Sequence, residues 1–135
     1  MPISYEIDHD RRLVTASARG TLTHEDVFGY QQEVWSRADL AGYDELIDMS
    51  EVGRIALDST DDVRKLAQLS ASMDGRSPGS ALAILAPNDF AFALGRMFEI
   101  YRGLDDRSTK RVGVFRTMAD ALAFLRREDG PPAAV

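Results

Sequence analysis

Cysteine is absent from the 135-residue sequence, so there is no disulfide framework, no thiolate nucleophile and no cysteine-ligated zinc or iron–sulfur site. The same absence fits a cytoplasmic protein. Histidine is nearly absent as well. His9 falls in an expected turn and His24 in the first turn of an expected helix, with no third ligand at a recognisable spacing, so neither a metal nor another cofactor is expected. Long apolar runs are missing. The longest, Ala81 to Ala86, is far too short to cross a bilayer, and Asp8, His9 and Asp10 come too early for a secretory signal. Positive charge is also in deficit: 16 Lys and Arg stand against 22 Asp and Glu, a net charge of -6. That balance opposes the basic stripe needed to bind nucleic acid or an anionic membrane.

What remains is a chain with 44% hydrophobic and 28% charged residues, ordinary for a globular domain. A single domain is expected over residues 1–127, followed by a flexible tail over 128–135 that contains Glu128, Asp129, Gly130, Pro131 and Pro132.

Ile3, Tyr5 and Ile7 alternate with Ser4, Glu6 and Asp8, the two-residue period of a half-buried strand. Val14, Ala16 and Ala18 repeat the pattern after a turn at His9 to Arg11, so the chain opens with an antiparallel hairpin that Gly20 is expected to end. Thr23 with Asp26 forms a capping-box pattern for a helix to about Ala38, with Val27, Phe28, Val34, Trp35 and Ala38 on one arc and Gln31 inside it. A short strand around Leu46 and Ile47 follows. Ser59 and Asp62 then cap a helix through about Met73. Ala81 to Ala86 lacks alternation, as befits a central strand covered on both faces. Asn88 caps a third helix to about Leu104, Arg111 to Phe115 is a last strand, and Thr117 with Asp120 caps a final helix. This order predicts an α/β fold: a five-stranded, mixed but mainly parallel sheet with an N-terminal antiparallel hairpin and four helices. In such sheets binding groups gather beyond the carboxyl ends of the strands, here at Asp48-Met49-Ser50, Ala86-Pro87-Asn88 and Phe115-Arg116-Thr117.

Motifs for catalysis fail on context. Gly75-Arg76-Ser77-Pro78-Gly79 matches G-x-S-x-G, but it follows a helix and precedes a strand, the reverse of a nucleophile elbow, and both histidines precede the serine. Asp58-Ser59-Thr60-Asp61-Asp62 has the oxygens of a calcium loop, yet Val63 replaces the needed glycine and Leu69 the bidentate glutamate. Positions 44 to 62 still hold seven carboxylates against one base, Arg54; they serve either as solvated caps or as an acidic site. Phe92 lies on the polar side of the third helix, where it is either a lone exposed aromatic or part of a dimer contact. Gln31 either lines a pocket or bonds backbone while its stem covers apolar surface.

The Tyr5-Glu6-Ile7-Asp8 hairpin, the Leu46-Ile47-Asp48-Met49-Ser50 strand end, the Ile84-Leu85-Ala86-Pro87-Asn88-Asp89 step and the Phe92-Ala93-Leu94-Gly95-Arg96-Met97-Phe98 helix segment resemble the SpoIIAA-like branch of the STAS domains, related to SEC14. The resemblance covers the chain to about Arg127. It implies a non-catalytic regulatory or binding module, not an enzyme, that presents Asp48, Ser50, Asp58, Ser59 and Thr60 to an unknown protein partner or small ligand. In the phosphorylated antagonists a D-S-S-G segment carries the modified serine. Here Asp58, Ser59, Thr60 and Asp61 stand at those positions, which implies as an alternative a phosphorylation-switched protein like the anti-sigma factor antagonists, although Asp58, Asp61 and Asp62 would repel an added phosphate. The SEC14 relationship implies an alternative, a carrier or sensor of an apolar, lipid-like ligand held between helices and sheet by Phe28, Gln31, Trp35, Met97 and Tyr101. A homodimer through the broad third helix is also expected.

Overall fold

The computed structural model describes residues 2–56, 60–76 and 79–126. Five strands, β1 (Ile3–Asp8), β2 (Leu13–Thr23), β3 (Asp44–Ala56), β4 (Ala81–Leu85) and β5 (Arg111–Phe115), form one sheet in the order β1-β2-β3-β4-β5. The β1–β2 pairing is antiparallel and the other three are parallel. The helices are α1 (His24–Trp35), α2 (Thr60–Ser72), α3 (Asp89–Gly103) and α4 (Met118–Leu125). The architecture is therefore the mixed α/β sheet that the alternation of elements predicts.

Local chemistry sets the helix starts. Thr23 and Asp26 close a full capping box: the Thr23 backbone N–H donates to the Asp26 carboxylate at 2.8 Å and the Asp26 N–H to the Thr23 hydroxyl at 3.3 Å. Asn88 accepts from the Ala91 N–H at 2.8 Å and Thr117 from the Asp120 N–H at 3.2 Å. The expected Ser59 cap lies outside the described residues, as do Ser77 and Pro78 and the expected tail.

Two strands are longer than their patterns predict. Gly20 does not end β2; its positive φ of 70° takes up a register irregularity, and pairing with β3 continues to Thr23 opposite Ala56. The bulged residues break the two-residue period, which hides the continuation from pattern reading. Helix α1 conversely stops at Trp35, before the expected Ala38, where Ser36 caps it and a one-turn segment over Ala38–Leu40 follows.

Consecutive parallel strands with no reversal of strand order carry α1, α2 and α3 on one face, where all three line a common space. Val14, Ala16 and Ile47 pack there against Tyr30, Val34 and Trp35, and Leu82, Ile84 and Val114 against Ala91 and Phe98. The opposite side chains, Leu13, Leu46, Ala83 and Phe115, meet Leu122, Phe124 and Leu125 of α4. Val14, Val34 and Leu40 have no exposed surface, and each such burial contributes about 1.5–3 kcal/mol. Gly95 brings α3 close to the sheet: a Cβ there would lie 2.9 Å from Val114 Cγ1.

Candidate functional site

The three-helix face is not filled evenly. A pocket of about 120 Å³ lies between it and the sheet. Its floor is Ala16 and Ala18 of β2, Ile47, Met49 and Ile55 of β3, and Leu82 and Ile84 of β4. Its roof is Val27, Tyr30 and Gln31 of α1, Val63 and Leu66 of α2, and Ala91, Leu94, Gly95 and Phe98 of α3. The sheet side is hollow because β2 supplies alanine where β3 and β4 supply large side chains.

Gln31 is 9% exposed. Its Nε2 donates to the Met73 thioether at 3.5 Å, a weak acceptor, and its carbonyl oxygen has no partner among the described residues. The Tyr30 hydroxyl turns away from the pocket and donates to Glu45 Oε2 at 2.6 Å. Burial and the neighbouring Glu45 hold the Tyr30 phenol protonated well above its usual range.

Glu45 belongs to a buried polar cluster at the amino ends of the parallel strands. Lys110 Nζ lies 3.9 Å from Glu45 Oε1 and 3.7 Å from the centre of the Trp35 ring. Burial pushes the Lys110 ammonium below its usual pKa, and Glu45 opposes that shift. Asp74 accepts from Arg102 Nη2 at both oxygens, 3.0 and 2.9 Å, and from the backbone N–H groups of Thr109 and Lys110 at 2.9 and 3.1 Å. Arg102 is 1% exposed, and burial lowers its pKa as well. Its Nε and Nη1 have no partner among the described residues.

Of the five side chains expected around an apolar ligand, the pocket is lined by Gln31 alone. Phe28 is half-buried and meets His24 edge-on at 4.3 Å, Trp35 sits under Lys110, and Met97 and Tyr101 are half-buried on α3 outside the lining. Asp48 and Ser50 flank Met49, so their side chains leave the sheet on the face opposite the pocket. The Ser50 N–H donates to Asp48 Oδ1 at 2.9 Å, and its hydroxyl bonds the same oxygen. Thr60 is exposed at the start of α2; Asp58 and Ser59 lie outside the described residues. The carboxylates of positions 44 to 62 diverge. Asp44 accepts from the Ala81 N–H at 2.8 Å, Glu45 is buried, Glu51 faces Arg19 at 3.5 Å, and Asp61 pairs with Arg64 and Lys65.

Neither histidine reaches the pocket: His9 Nδ1 is 2.7 Å from the Tyr43 hydroxyl, and His24 meets Phe28 edge-on. Among the described residues no three His, Asp or Glu side chains cluster as a metal site, and no helix is long and apolar enough to cross a membrane.

The fold is similar to that of a crystal structure of an uncharacterized DUF3478-family protein from Shewanella loihica with a SpoIIAA-like fold. The two superpose with a TM-score of 0.57 at 22% identity, over 91% of this chain and 93% of the other. This chain has the SpoIIAA-like fold. No family model and no curated protein matches the sequence. The SpoIIAA-like fold thus locates the elements, and this chain's own residues set the chemistry of the pocket.

Proposed function

We propose that the protein is a non-catalytic STAS-type binding module whose pocket beneath α1, α2 and α3 holds a small apolar ligand. The observation that carries this reading is the pocket itself: an unfilled, almost wholly apolar space with one incompletely bonded polar side chain, in a core where side chains otherwise close-pack. Among the described residues the lining offers no carboxylate, imidazole, serine or threonine hydroxyl, or lysine to support a catalytic reading. Benzene is a suitable first probe, since a dry cavity of roughly 150 Å³ accommodates it. Benzene should raise the melting temperature in a saturable way, and native mass spectrometry of the purified protein should retain an apolar compound that organic extraction removes. No melting shift with benzene and no retained compound would remove the reading.

A second reading, self-association through α3, is favoured by a separate observation. Phe90, Ile100 and Leu104 are 59%, 57% and 75% exposed, and with Ala93 and Met97 they repeat at intervals of three and four residues along one face. Sedimentation should show a dimer that Ile100→Glu dissociates; a wild-type monomer at tens of micromolar would exclude it.

A further inference from the structure

Taking the ligand reading as its basis, we propose that the pocket selects small, electrically neutral amphiphiles, such as a short-chain primary amide or alcohol. The apolar body fills the pocket and the polar group hydrogen-bonds the Gln31 amide. Three observations lead there. Gln31 is buried to nine-tenths, it borders the pocket, and among the described residues it is bonded only to a thioether, so both its donor and its acceptor are open to a stronger partner. An amide or a hydroxyl can answer both at once. Among the described residues the pocket walls hold no Lys, Arg or His, so an anionic head group would enter without a counter-charge and bear a desolvation penalty. The surroundings add repulsion. Glu45 sits behind Tyr30 at 2.6 Å from its hydroxyl, and a neighbouring hollow that shares Ile3 and Tyr30 with the pocket carries Glu25, Asp26 and Glu33. Lys110, the buried cation nearest this corner, is already turned to Glu45 and the Trp35 ring.

Size limits the body of the ligand. A pocket of about 120 Å³ takes a ring or a short alkyl chain.

Pentanamide and pentanoate make the decisive pair, because they have the same number of heavy atoms and differ in charge at neutral pH. In NMR titrations of the wild-type protein, pentanamide should bind at least ~100-fold more tightly than pentanoate. Gln31→Leu should weaken pentanamide by about two- to tenfold while leaving benzene binding unchanged or tighter. Pentanoate binding within a few-fold of pentanamide would overturn the proposal, and that comparison needs no variant to fold. Equal losses for pentanamide and benzene in Gln31→Leu, or no loss for either, would also overturn it. If benzene binds the wild type and pentanamide gains nothing from Gln31, only the head-group inference fails. If neither benzene nor pentanamide binds, the ligand reading fails with it.

Discussion

Beneath one layer of helices, the two ends of the same strands are built in opposite ways. At the amino ends of β3 and β5, Tyr30, Glu45, Lys110 and Trp35 interlock, and Asp74 beside them gathers Arg102 and two backbone N–H groups. Two residues further along β3, Ile47 and then Met49 face an unfilled pocket with Leu82 and Ile84. One end is crowded with directional bonds that admit a single arrangement. The other has only dispersion contacts, which a guest of suitable shape can replace. The difference separates two tasks: the polar end fixes how α1 and α3 sit on the sheet, and the apolar end can then stay partly empty without the helices collapsing into it.

The largest effect is expected at Arg102. Arg102→Met leaves the Asp74 carboxylate buried without its cation and should cost about 3–5 kcal/mol in urea unfolding; a cost below about 1 kcal/mol would mean that the polar end is not what holds the helices. Tyr30→Phe keeps the ring that lines the pocket and removes one hydrogen bond from buried Glu45. Unfolding should show a loss of about 1–3 kcal/mol, with benzene affinity unchanged; a parallel loss of affinity would show that the two ends are not independent. Ala18→Val works on the apolar end alone. It places extra methyl groups in the pocket from a strand position that suits a β-branched residue, so stability should rise by about 0.5–2 kcal/mol while benzene binding disappears.

The smallest effect is at the surface beside the polar cluster. Arg107 holds the Asp105 carboxyl down to about 2, through its side-chain bonds at 2.8 and 3.0 Å and then its backbone N–H at 2.9 Å. A carboxyl depressed on folding contributes stability above its ordinary pKa, and that contribution is lost as the pH falls toward 2. Arg107→Ala should move the Asp105 titration, followed by NMR, back toward the ordinary carboxylate range without touching the pocket. An unmoved titration would contradict the pairing.

Much of the polar end was legible in the sequence, though by a signal other than motif spacing. Glu45 has the same strand parity as Ile47 and Met49, so it had to point beneath the helices. Arg102 continues the four-three-four spacing of Ala91, Gly95 and Phe98 on the inner side of α3. A charge inside an apolar period marks a buried pair. Asp74 carries no such mark, because a loop has no period. The hairpin, the helix caps and the central strand follow from local chemistry, whereas the extended β2–β3 pairing is hidden by its bulges. The pocket was only partly legible. Gln31 interrupts an apolar arc and so stands out, but Phe28, Trp35, Met97 and Tyr101 share helical arcs with it without facing the same space. Arc membership fixes a direction to within a quarter-turn, while emptiness depends on how Ala16 and Ala18 on one strand face Ile47 and Ile84 on others.

If the space beneath α1, α2 and α3 binds an apolar ligand, as proposed, methyl NMR with benzene should report it. The account predicts saturable shifts at the methyl groups of Val27, Ile47, Leu82 and Ile84 in the wild type, a still backbone N–H at Lys110, and no shifts in Ala18→Val. Absence of a saturable shift in the wild type, or the same shifts in Ala18→Val, would contradict it.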